Sequence, residues 1–211
     1  MPIPHIESYR IPSDLPTPVV DWTLQPQRAA LLVHDMQNYF IDAFDPDADP
    51  IRTVIANIQQ LIALFDAAGA PVFYSVQPPA QDPLRRGLLT EVWGQGMSTK
   101  QQAAVIEALH PQPHHHVVTK WRYSAFQRTD LRETLAHARR DQLVITGVYG
   151  HMGCQVSAAD AFMNDIEAFL ITDAIADFSA REHAGAINWV GTRAGVAMTT
   201  AAAVASLEAQ Q

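Results

Sequence analysis

Leu31-Leu32-Val33-His34-Asp35-Met36-Gln37-Asn38-Tyr39-Phe40 opens on an apolar run, which reaches an acidic residue at the point where the run stops. Short, continuous apolar runs are typical of strands that are buried on both faces of a parallel sheet. We therefore predict a buried strand over Ala29–His34, with Asp35 at its carboxyl end. Ligands of such sheets bind at the carboxyl ends of the strands, so Asp35 is a candidate functional residue.

A second stretch, Val117-Val118-Thr119-Lys120-Trp121-Arg122-Tyr123-Ser124-Ala125-Phe126, repeats this arrangement with the opposite charge. The chain has only two lysines, and a β-branched run delivers one of them, Lys120, into a cluster of aromatic and cationic residues. A lysine that follows an apolar strand loses hydration, which favours a partner carboxylate or a bound anion. The alternative is a lysine whose stem is buried and whose ammonium group reaches water.

Strand and helix patterns alternate along the rest of the chain. Further strands are predicted at Pro71–Val76, His116–Thr119, Gln142–Thr146, Ala168–Ile171 and Val196–Met198. Helices are predicted at Arg52–Ala68, Lys100–Leu109, Thr129–Ala138, Gly153–Asn164, Arg181–Ala194 and Ala201–Glu208, and a loop at Gln77–Gly96. Capping boxes predict helix starts at Ser124-x-x-Gln127 and Ser179-x-x-Glu182. This alternation predicts an α/β protein with a parallel sheet and helices on both faces.

Length and composition indicate a single globular domain, since 211 residues with 48% apolar and 17% charged side chains can bury a full core. We predict that residues 1–28, which are rich in proline, form an arm packed on a domain spanning residues 29–211. The net charge of -8 disfavours nucleic acid and anionic membranes as partners. One cysteine, no secretory signal and no apolar stretch of transmembrane length predict a cytoplasmic location.

Asp35 and Lys120 should lie near each other, because both follow strands of one parallel sheet. A paired acid and base at such a position suits proton transfer at neutral pH, although a structural ion pair is equally compatible with the spacing. A glycine-rich turn, Gly147-Val148-Tyr149-Gly150-His151-Met152-Gly153-Cys154, opens a predicted helix and could bind an anion through its N–H groups. Cys154 is either a nucleophile activated there or a small buried side chain.

Other candidate residues have plain structural alternatives. His114-His115-His116 suggests a metal site, but neighbouring residues that lead into a strand point to opposite faces, so we predict no metal there. Arginine can bind a carboxylate through two hydrogen bonds, and aromatic side chains can enclose an apolar ring. On this basis the predicted cleft is flanked by Gln77, Arg86, Trp93, Tyr123 and Tyr149. A surface arginine and core aromatics are the alternatives.

Four stretches together resemble the isochorismatase family of cysteine-hydrolase-like α/β proteins, and the resemblance runs over about residues 20–200. They are Pro26–Gln37, Thr119–Phe126, Ile145–Cys154 and Asp173–Ser179. The resemblance implies a six-stranded parallel sheet in a three-layer Rossmann-like fold. It also implies a small-molecule substrate, a homodimer, and neither a metal nor an organic cofactor.

The resemblance implies hydrolysis of a vinyl ether with release of pyruvate. The substrate would be chorismate-derived, either isochorismate in siderophore biosynthesis or 2-amino-2-deoxyisochorismate in phenazine biosynthesis. Asp35 would protonate the terminal methylene carbon, and Lys120 would orient Asp35 and engage polar groups of the substrate. Positions that match substrate contacts are Gln77, Arg86, Tyr149 and the Gly153 amide, while Phe40, Trp93 and Tyr123 would line the pocket.

Two rival functions follow from the same residues. Related amidohydrolases such as nicotinamidases use an Asp-Lys-Cys triad, but their nucleophile corresponds to Gly153, and Cys154 is rotated from it by about 100°. Their metal cluster also has no counterpart in Ser75–Pro79, which lacks histidine. The second rival is a non-catalytic partner protein. Departures from the family are Gly150 and the Asp42–Pro50 loop, and we expect a single domain without the carrier domain that many siderophore members attach.

Overall fold

One parallel sheet of six strands forms the centre of the molecule. The structure, a computed structural model, describes residues 3–209. Within them the strands are β1 Ala29–His34, β2 Val72–Val76, β3 His116–Thr119, β4 Gln142–Val148, β5 Glu167–Ala176 and β6 Gly195–Met198. Their spatial order is β3-β2-β1-β4-β5-β6, and each neighbouring pair is parallel. The predicted six-stranded parallel sheet is therefore confirmed.

Helices cover both faces of this sheet. They are α1 Asn38–Ile41, α2 Ile51–Ala67, α3 Pro83–Arg86, α4 Leu89–Trp93, α5 Lys100–Ala103, α6 Leu131–His137, α7 Gln155–Met163, α8 Ala180–Arg193 and α9 Thr200–Glu208. Successive side chains of a strand point to opposite faces. Leu31 and Val33 of β1 accordingly pack in one apolar cluster with α2 and α9, and Ala30 and Leu32 pack in another with α6, α7 and α8. The predicted three-layer fold is confirmed.

The strand order places a ligand crevice between β1 and β4. The chain winds outward from β1 to β2 and β3 on one side, and from β4 to β5 and β6 on the other. In open parallel sheets, ligands bind where the winding reverses, outside the carboxyl ends of the strands. Asp35 leaves β1 and Tyr149 leaves β4 at this crevice.

The predicted helix over Lys100–Leu109 is wrong, because the helix ends after a single turn at Ala103. The buried side chain of Gln37 donates a hydrogen bond to the Ala103 carbonyl at 2.6 Å. The N–H of Asn38 donates to the Ala104 carbonyl at 2.9 Å. These carbonyl oxygens bond residues that are distant in sequence, and Ala104 takes an extended backbone conformation that cannot continue a helix.

Two further local predictions are wrong. Ser124 does not begin a helix, because its hydroxyl accepts a hydrogen bond from the N–H of Phe126 at 3.0 Å within a tight turn, and α6 begins later. The Gln77–Gly96 segment is not all loop, since it contains α3 and α4. Asp82 caps α3 by accepting from the N–H of Leu84 at 2.8 Å, a local signal for a helix start.

Residues 3–28 form no helix or strand and lie against the rest of the chain. Ile6 and Leu24 in this arm are almost fully buried. The hydroxyl of Tyr9 accepts from the N–H of Asp177 at 2.8 Å and lies 3.1 Å from Nδ1 of His183. The arm is thereby fastened to a segment more than 160 positions away in sequence. Within residues 3–209, no helix has both the length and the apolar content of a membrane span.

Candidate active site

A cavity opens at the carboxyl ends of the central strands. Elements that are far apart in sequence reach it, because parallel strands end at one edge of the sheet. It is lined by all nine residues that the sequence singled out: Asp35, Phe40, Gln77, Arg86, Trp93, Lys120, Tyr123, Tyr149 and Gly153. Among the lining residues that the structure describes, Asp35 is the only carboxylic acid, and none is a cysteine, serine or threonine.

Three side chains donate hydrogen bonds to the carboxylate of Asp35. The hydroxyl of Ser75 lies 3.0 Å from Oδ1, while Nε2 of Gln77 and Nζ of Lys120 lie 3.1 Å and 2.9 Å from Oδ2. A φ angle of +51° turns the backbone of Asp35 out of β1. Aspartate tolerates this left-handed conformation better than most residues do. The carboxyl group is thus fixed in one orientation at the cavity.

Lys120 is buried, and its ammonium group forms all of its hydrogen bonds with other groups of the protein. Besides the 2.9 Å contact with Asp35, Nζ donates to the carbonyl oxygens of Arg122 at 2.7 Å and Tyr123 at 3.1 Å. An ammonium group has three N–H donors, so all three are engaged. Lys120 is therefore placed to orient Asp35, and a hydrogen bond from it to a ligand requires one of these contacts to break.

Arg86 brings a second positive charge to the cavity without a matching negative one. Its Nε donates to the carbonyl of Gly94 at 2.7 Å. Within residues 3–209, no carboxylate forms an ion pair with Arg86, and its two terminal nitrogens have no hydrogen-bond partner. Its pKa is lowered by burial. A buried, unpaired guanidinium group destabilises a protein, so this side chain is well placed to bind an anion.

Aromatic side chains form much of the cavity wall. Nε1 of Trp93 donates to the hydroxyl of Tyr123 at 2.7 Å, and the hydroxyl of Tyr149 donates to the carbonyl of Phe40 at 2.8 Å. Burial raises the pKa of Tyr149 far above its ordinary value, so the phenol stays neutral. The polar tips of these rings are satisfied by each other and by the backbone, which leaves apolar surface for a ring-shaped ligand.

The turn that follows β4 presents Gly153 to the cavity and Cys154 to the core. The chain forms a π-helical turn over Gly150–Cys154 before α7. The thiol of Cys154 is completely buried and donates weakly to the carbonyl of Thr146 at 3.8 Å. Burial raises the pKa of Cys154 well above its usual range, so the thiolate is disfavoured. Of the two alternatives for Cys154, the geometry favours the small buried side chain.

Comparison with known proteins decides the family, because a model described as "Isochorismatase domain" matches residues 29–202. The chain belongs to the isochorismatase family. A protein named "Isochorismatase" from Bacillus subtilis is 46% identical over 95% of this chain and 65% of its own length. The chain thus spans slightly less than two thirds of that relative.

Two other similarities agree with this membership. The "Phenazine biosynthesis protein PhzD" of Pseudomonas fluorescens is 44% identical over 94% of this chain and 96% of its own length. The crystal structure of a cysteine hydrolase from Pseudomonas syringae pv. phaseolicola superposes with a TM-score of 0.84 over 92% of this chain and 99% of its own. At 24% identity, that structure supports the fold alone.

Some residues that line the cavity of this isochorismatase-family protein, or that bond its lining residues from behind, were missed from the sequence. Ser75 bonds Asp35, and it could have been found, because residues two apart in a strand share a face and Gln77 was already a candidate. The ring of Phe178 packs at a tilt of 54° against that of Tyr149, with centroids 4.5 Å apart, and Phe178 stands in a stretch that carries the resemblance. His34 and Met152 also stand in stretches that carry the resemblance, whereas no sequence signal marks Ile3, Leu89 and Met97.

The histidine run His114–His116 does not behave as predicted. His114 and His115 precede β3 and do not point apart, since their Nε2 atoms lie 3.0 Å and 2.9 Å from the same oxygen of Asp66. Nδ1 of His115 accepts a hydrogen bond from the N–H of Gln112 at 3.0 Å, so its proton is on Nε2, where a metal would have to bind. The hydrogen bonding therefore favours a structural contact over a metal site. Asp66, His114 and His115, here called the latch, join α2 to the segment just before β3.

This latch should contribute to stability above about pH 4. Burial acts to raise the pKa of Asp66, but hydrogen bonds from His115 and His114 hold it below its ordinary value of 3.8. A lowered pKa stabilises the fold above the unfolded-state pKa, and that stabilisation is lost as pH falls through the folded-state pKa. We expect Asp66→Asn to lower Tm by about 3 °C at pH 7, with the difference vanishing towards pH 3.

Thermal denaturation between pH 7 and pH 3 measures this effect. Asp21→Asn is the control, because Asp21 is an exposed acid. A loss of Tm in Asp66→Asn that stays the same at every pH would contradict the proposed titration of the latch.

A second cluster of possible metal ligands lies beside the cavity, at His151, Asp177 and Glu182. The carboxylate of Asp177 already accepts from the N–H of His151 at 2.6 Å, from Nδ1 of the same histidine at 2.5 Å and from the N–H of Phe178 at 2.8 Å. With its oxygens taken by three donors, Asp177 fixes the turn after β4 to the end of β5.

Proposed function

We propose that this protein is an isochorismatase-type hydrolase that cleaves the enolpyruvyl ether of isochorismate or 2-amino-2-deoxyisochorismate. The observation that carries the proposal is the Asp35 carboxyl group, held by Ser75, Gln77 and Lys120 in a cavity whose lining residues, among those the structure describes, include no second acid and no cysteine, serine or threonine. A site with one oriented acid and no such nucleophile suits general acid catalysis. Close relatives named for isochorismate and phenazine chemistry support the same reaction class.

The proposed reaction begins with proton transfer from the carboxyl group of Asp35 to the terminal methylene carbon. The π electrons of the vinyl ether form the new C–H bond, leaving an oxocarbenium ion beside the Asp35 carboxylate. Water adds to this cation, and its proton returns to the carboxylate. The hemiketal then collapses to pyruvate and the ring alcohol, which is a dihydrodiol or its amino analogue.

The hydrogen-bond donors around Asp35 contribute most when the proton has left it. The neutral acid needs fewer donors than the carboxylate, so Ser75, Gln77 and Lys120 stabilise the charge that develops on Asp35 in the transition state. Lys120 also balances that charge inside a buried site. In this proposal Gln77, Tyr149 and the Gly153 amide contact the substrate.

The anionic substrate would be held by Arg86, whose guanidinium group lacks a partner carboxylate in the described structure. We expect Arg86→Gln to raise KM for the substrate by about 10-fold to 100-fold. This is the change in affinity expected when a hydrogen bond between charged groups is lost. Tm should stay the same or rise, because an unpaired buried charge is removed. A fall in Tm without a change in KM would mean that Arg86 is structural.

Arg85→Gln is the matched control for that measurement. Arg85 is the preceding residue of α3, but it is exposed and lies over the ring of Trp121 at 4.7 Å, outside the cavity. Its loss should leave KM unchanged.

The rival function, a cysteine-dependent amidohydrolase, requires the thiol of Cys154 to reach the substrate. That thiol faces the core and does not line the cavity. We expect Cys154→Ala to keep both kcat and KM for pyruvate release, with a small fall in Tm from the vacated volume. Loss of kcat in a folded Cys154→Ala protein would favour the amidohydrolase.

The experiment that tests the proposal is pyruvate release by the purified protein, with isochorismate and 2-amino-2-deoxyisochorismate offered separately. Coupling to lactate dehydrogenase follows pyruvate directly. Release from either substrate supports vinyl ether hydrolysis, and the faster one names the siderophore or the phenazine route. If the folded protein released no pyruvate from either substrate, the proposal would be wrong, and amide hydrolysis or a non-catalytic partner role would be the favoured function.

Two further expectations belong to this proposal. The single cysteine, Cys154, is buried and unpaired, which fits a cytoplasmic location. A homodimer is expected from the resemblance, and light scattering of the eluted protein would measure its mass. Neither a metal nor an organic cofactor has a role in the proposed reaction.

A further inference from the structure

His34 lies at the carboxyl end of the central strand β1 and lines the cavity. It is the last residue of β1 and is almost fully buried. Nδ1 lies 2.8 Å from the carbonyl oxygen of Val148, and Nε2 lies 3.2 Å from that of Tyr123. Burial lowers the pKa of His34, so the ring is neutral at pH 7. The imidazole thus lies between the end of β4 and the segment after β3, where its one N–H donates to one of these two carbonyl oxygens, and it lines the cavity with Asp35.

The imidazole of His34 also fills the space that a side chain at position 153 would occupy. A methyl group built on the backbone of Gly153 would lie 2.7 Å from Nε2 and 2.9 Å from Nδ1 of His34, with Cε1 closer still. Carbon atoms of real side chains do not approach ring atoms so closely. No residue other than glycine therefore fits at position 153 while His34 keeps its place.

Position 153 is also the place where a side chain would meet the reacting groups. The His34 ring that fills this space has Nδ1 only 3.8 Å from Oδ1 of Asp35. Gly153 stands just before α7, where the helix N-terminus favours a negative charge. A thiol here would have both an acid and a helix dipole nearby, whereas the thiol of Cys154 points into the core.

We propose that His34 is a specificity-determining residue: its ring excludes every side chain from position 153 and so keeps a nucleophile out of the site. The chemistry left to the cavity is then proton transfer by Asp35 and addition of water. Packing and thiol reactivity at position 153 can be measured without a substrate, so these measurements are separate from the test of the proposed hydrolysis.

A double-variant cycle tests the exclusion. In the presence of His34, Gly153→Ala should lower Tm by about 5 °C or more, because the methyl group overlaps the ring. In the His34→Ala background, the same substitution should cost little or raise Tm, because the methyl group enters vacated space. Equal losses of Tm in the two backgrounds, or a double variant that is unfolded while both single variants fold, would overturn the proposal.

A second measurement asks whether the freed space leads to the reacting groups. In a Cys154→Ala background, Gly153→Cys is made with and without His34→Ala, and alkylation by iodoacetamide is followed by mass spectrometry of the tryptic peptide. With His34→Ala we expect a folded protein that is alkylated at least about 10-fold faster than the one that retains His34. Equal alkylation rates in the proteins with and without His34→Ala, at equal Tm, would overturn the proposal, because His34 would then not exclude side chains from position 153. Absence of alkylation in the triple variant would also overturn it, because the vacated space would not reach the cavity.

Discussion

Replacing Asp35 with asparagine should reduce kcat for pyruvate release by about 10³-fold or more, while the fold stays intact. General acid catalysis contributes about 10²-fold to 10⁴-fold, and asparagine has no proton to give to the vinyl carbon. Its amide has nearly the shape of the carboxyl group and can still accept from Ser75 or Lys120. Far-ultraviolet circular dichroism and Tm would show that folding is preserved.

The control for this loss is Asp21→Asn, which changes an exposed acid and should leave kcat untouched. Substrate affinity should persist in Asp35→Asn, because Arg86 remains. Retention of more than about one tenth of wild-type kcat would refute Asp35 as the proton donor, since it is the only carboxyl group among the described residues that line the cavity.

Lys120→Met should lose both activity and stability. The ammonium of Lys120 is the only cation that forms an ion pair with Asp35 in the described structure, because the His34 ring at 3.8 Å is neutral. Removing one partner of a buried pair costs about 3–5 kcal/mol, because the other charge is left uncompensated. We expect Tm to fall by about 10 °C and kcat by about 100-fold or more, since the carboxylate formed in the reaction loses its counter-charge.

The chain supplies a matched control, because its other lysine, Lys100, is exposed. Lys100→Met should leave Tm and kcat unchanged. Combining Lys120→Met with Asp35→Asn removes the stranded charge, so the double variant should regain part of the Tm that Lys120→Met alone loses. A double variant with additive losses would indicate that Lys120 acts through packing and not through its charge.

The fold and the central pair could be predicted because their signals are local. An apolar run that stops at a charge fixes both a buried strand and the side chain at its end, and parallel strands bring those ends together. Asp35 and Lys120, 85 positions apart in the chain, accordingly meet at 2.9 Å. The capped start of α8 was predictable for the same reason, since Ser179 accepts from the N–H of Glu182 only three residues away.

The errors lie where distant groups overrule local preference. The helix predicted from Lys100 ends early because Gln37, more than 60 positions earlier, binds the carbonyl of Ala103. His114 and His115 were expected to diverge, but they lie before the strand begins and are drawn together by Asp66 of α2. Contacts of this kind form only in the folded protein, so the pattern of neighbouring residues does not predict them.

The arm contributes to the cavity although it lies outside the residues that the family model matches. Similarity to the family model starts at residue 29, yet Ile3 lines the cavity and Tyr9 holds the backbone next to Phe178, another lining residue. The family model therefore marks the shared scaffold and does not include the complete cavity wall. A protein trimmed to the matched residues would keep the sheet and every proposed catalytic group, but it would lose Ile3 from the cavity wall and the contact of Tyr9 with Asp177.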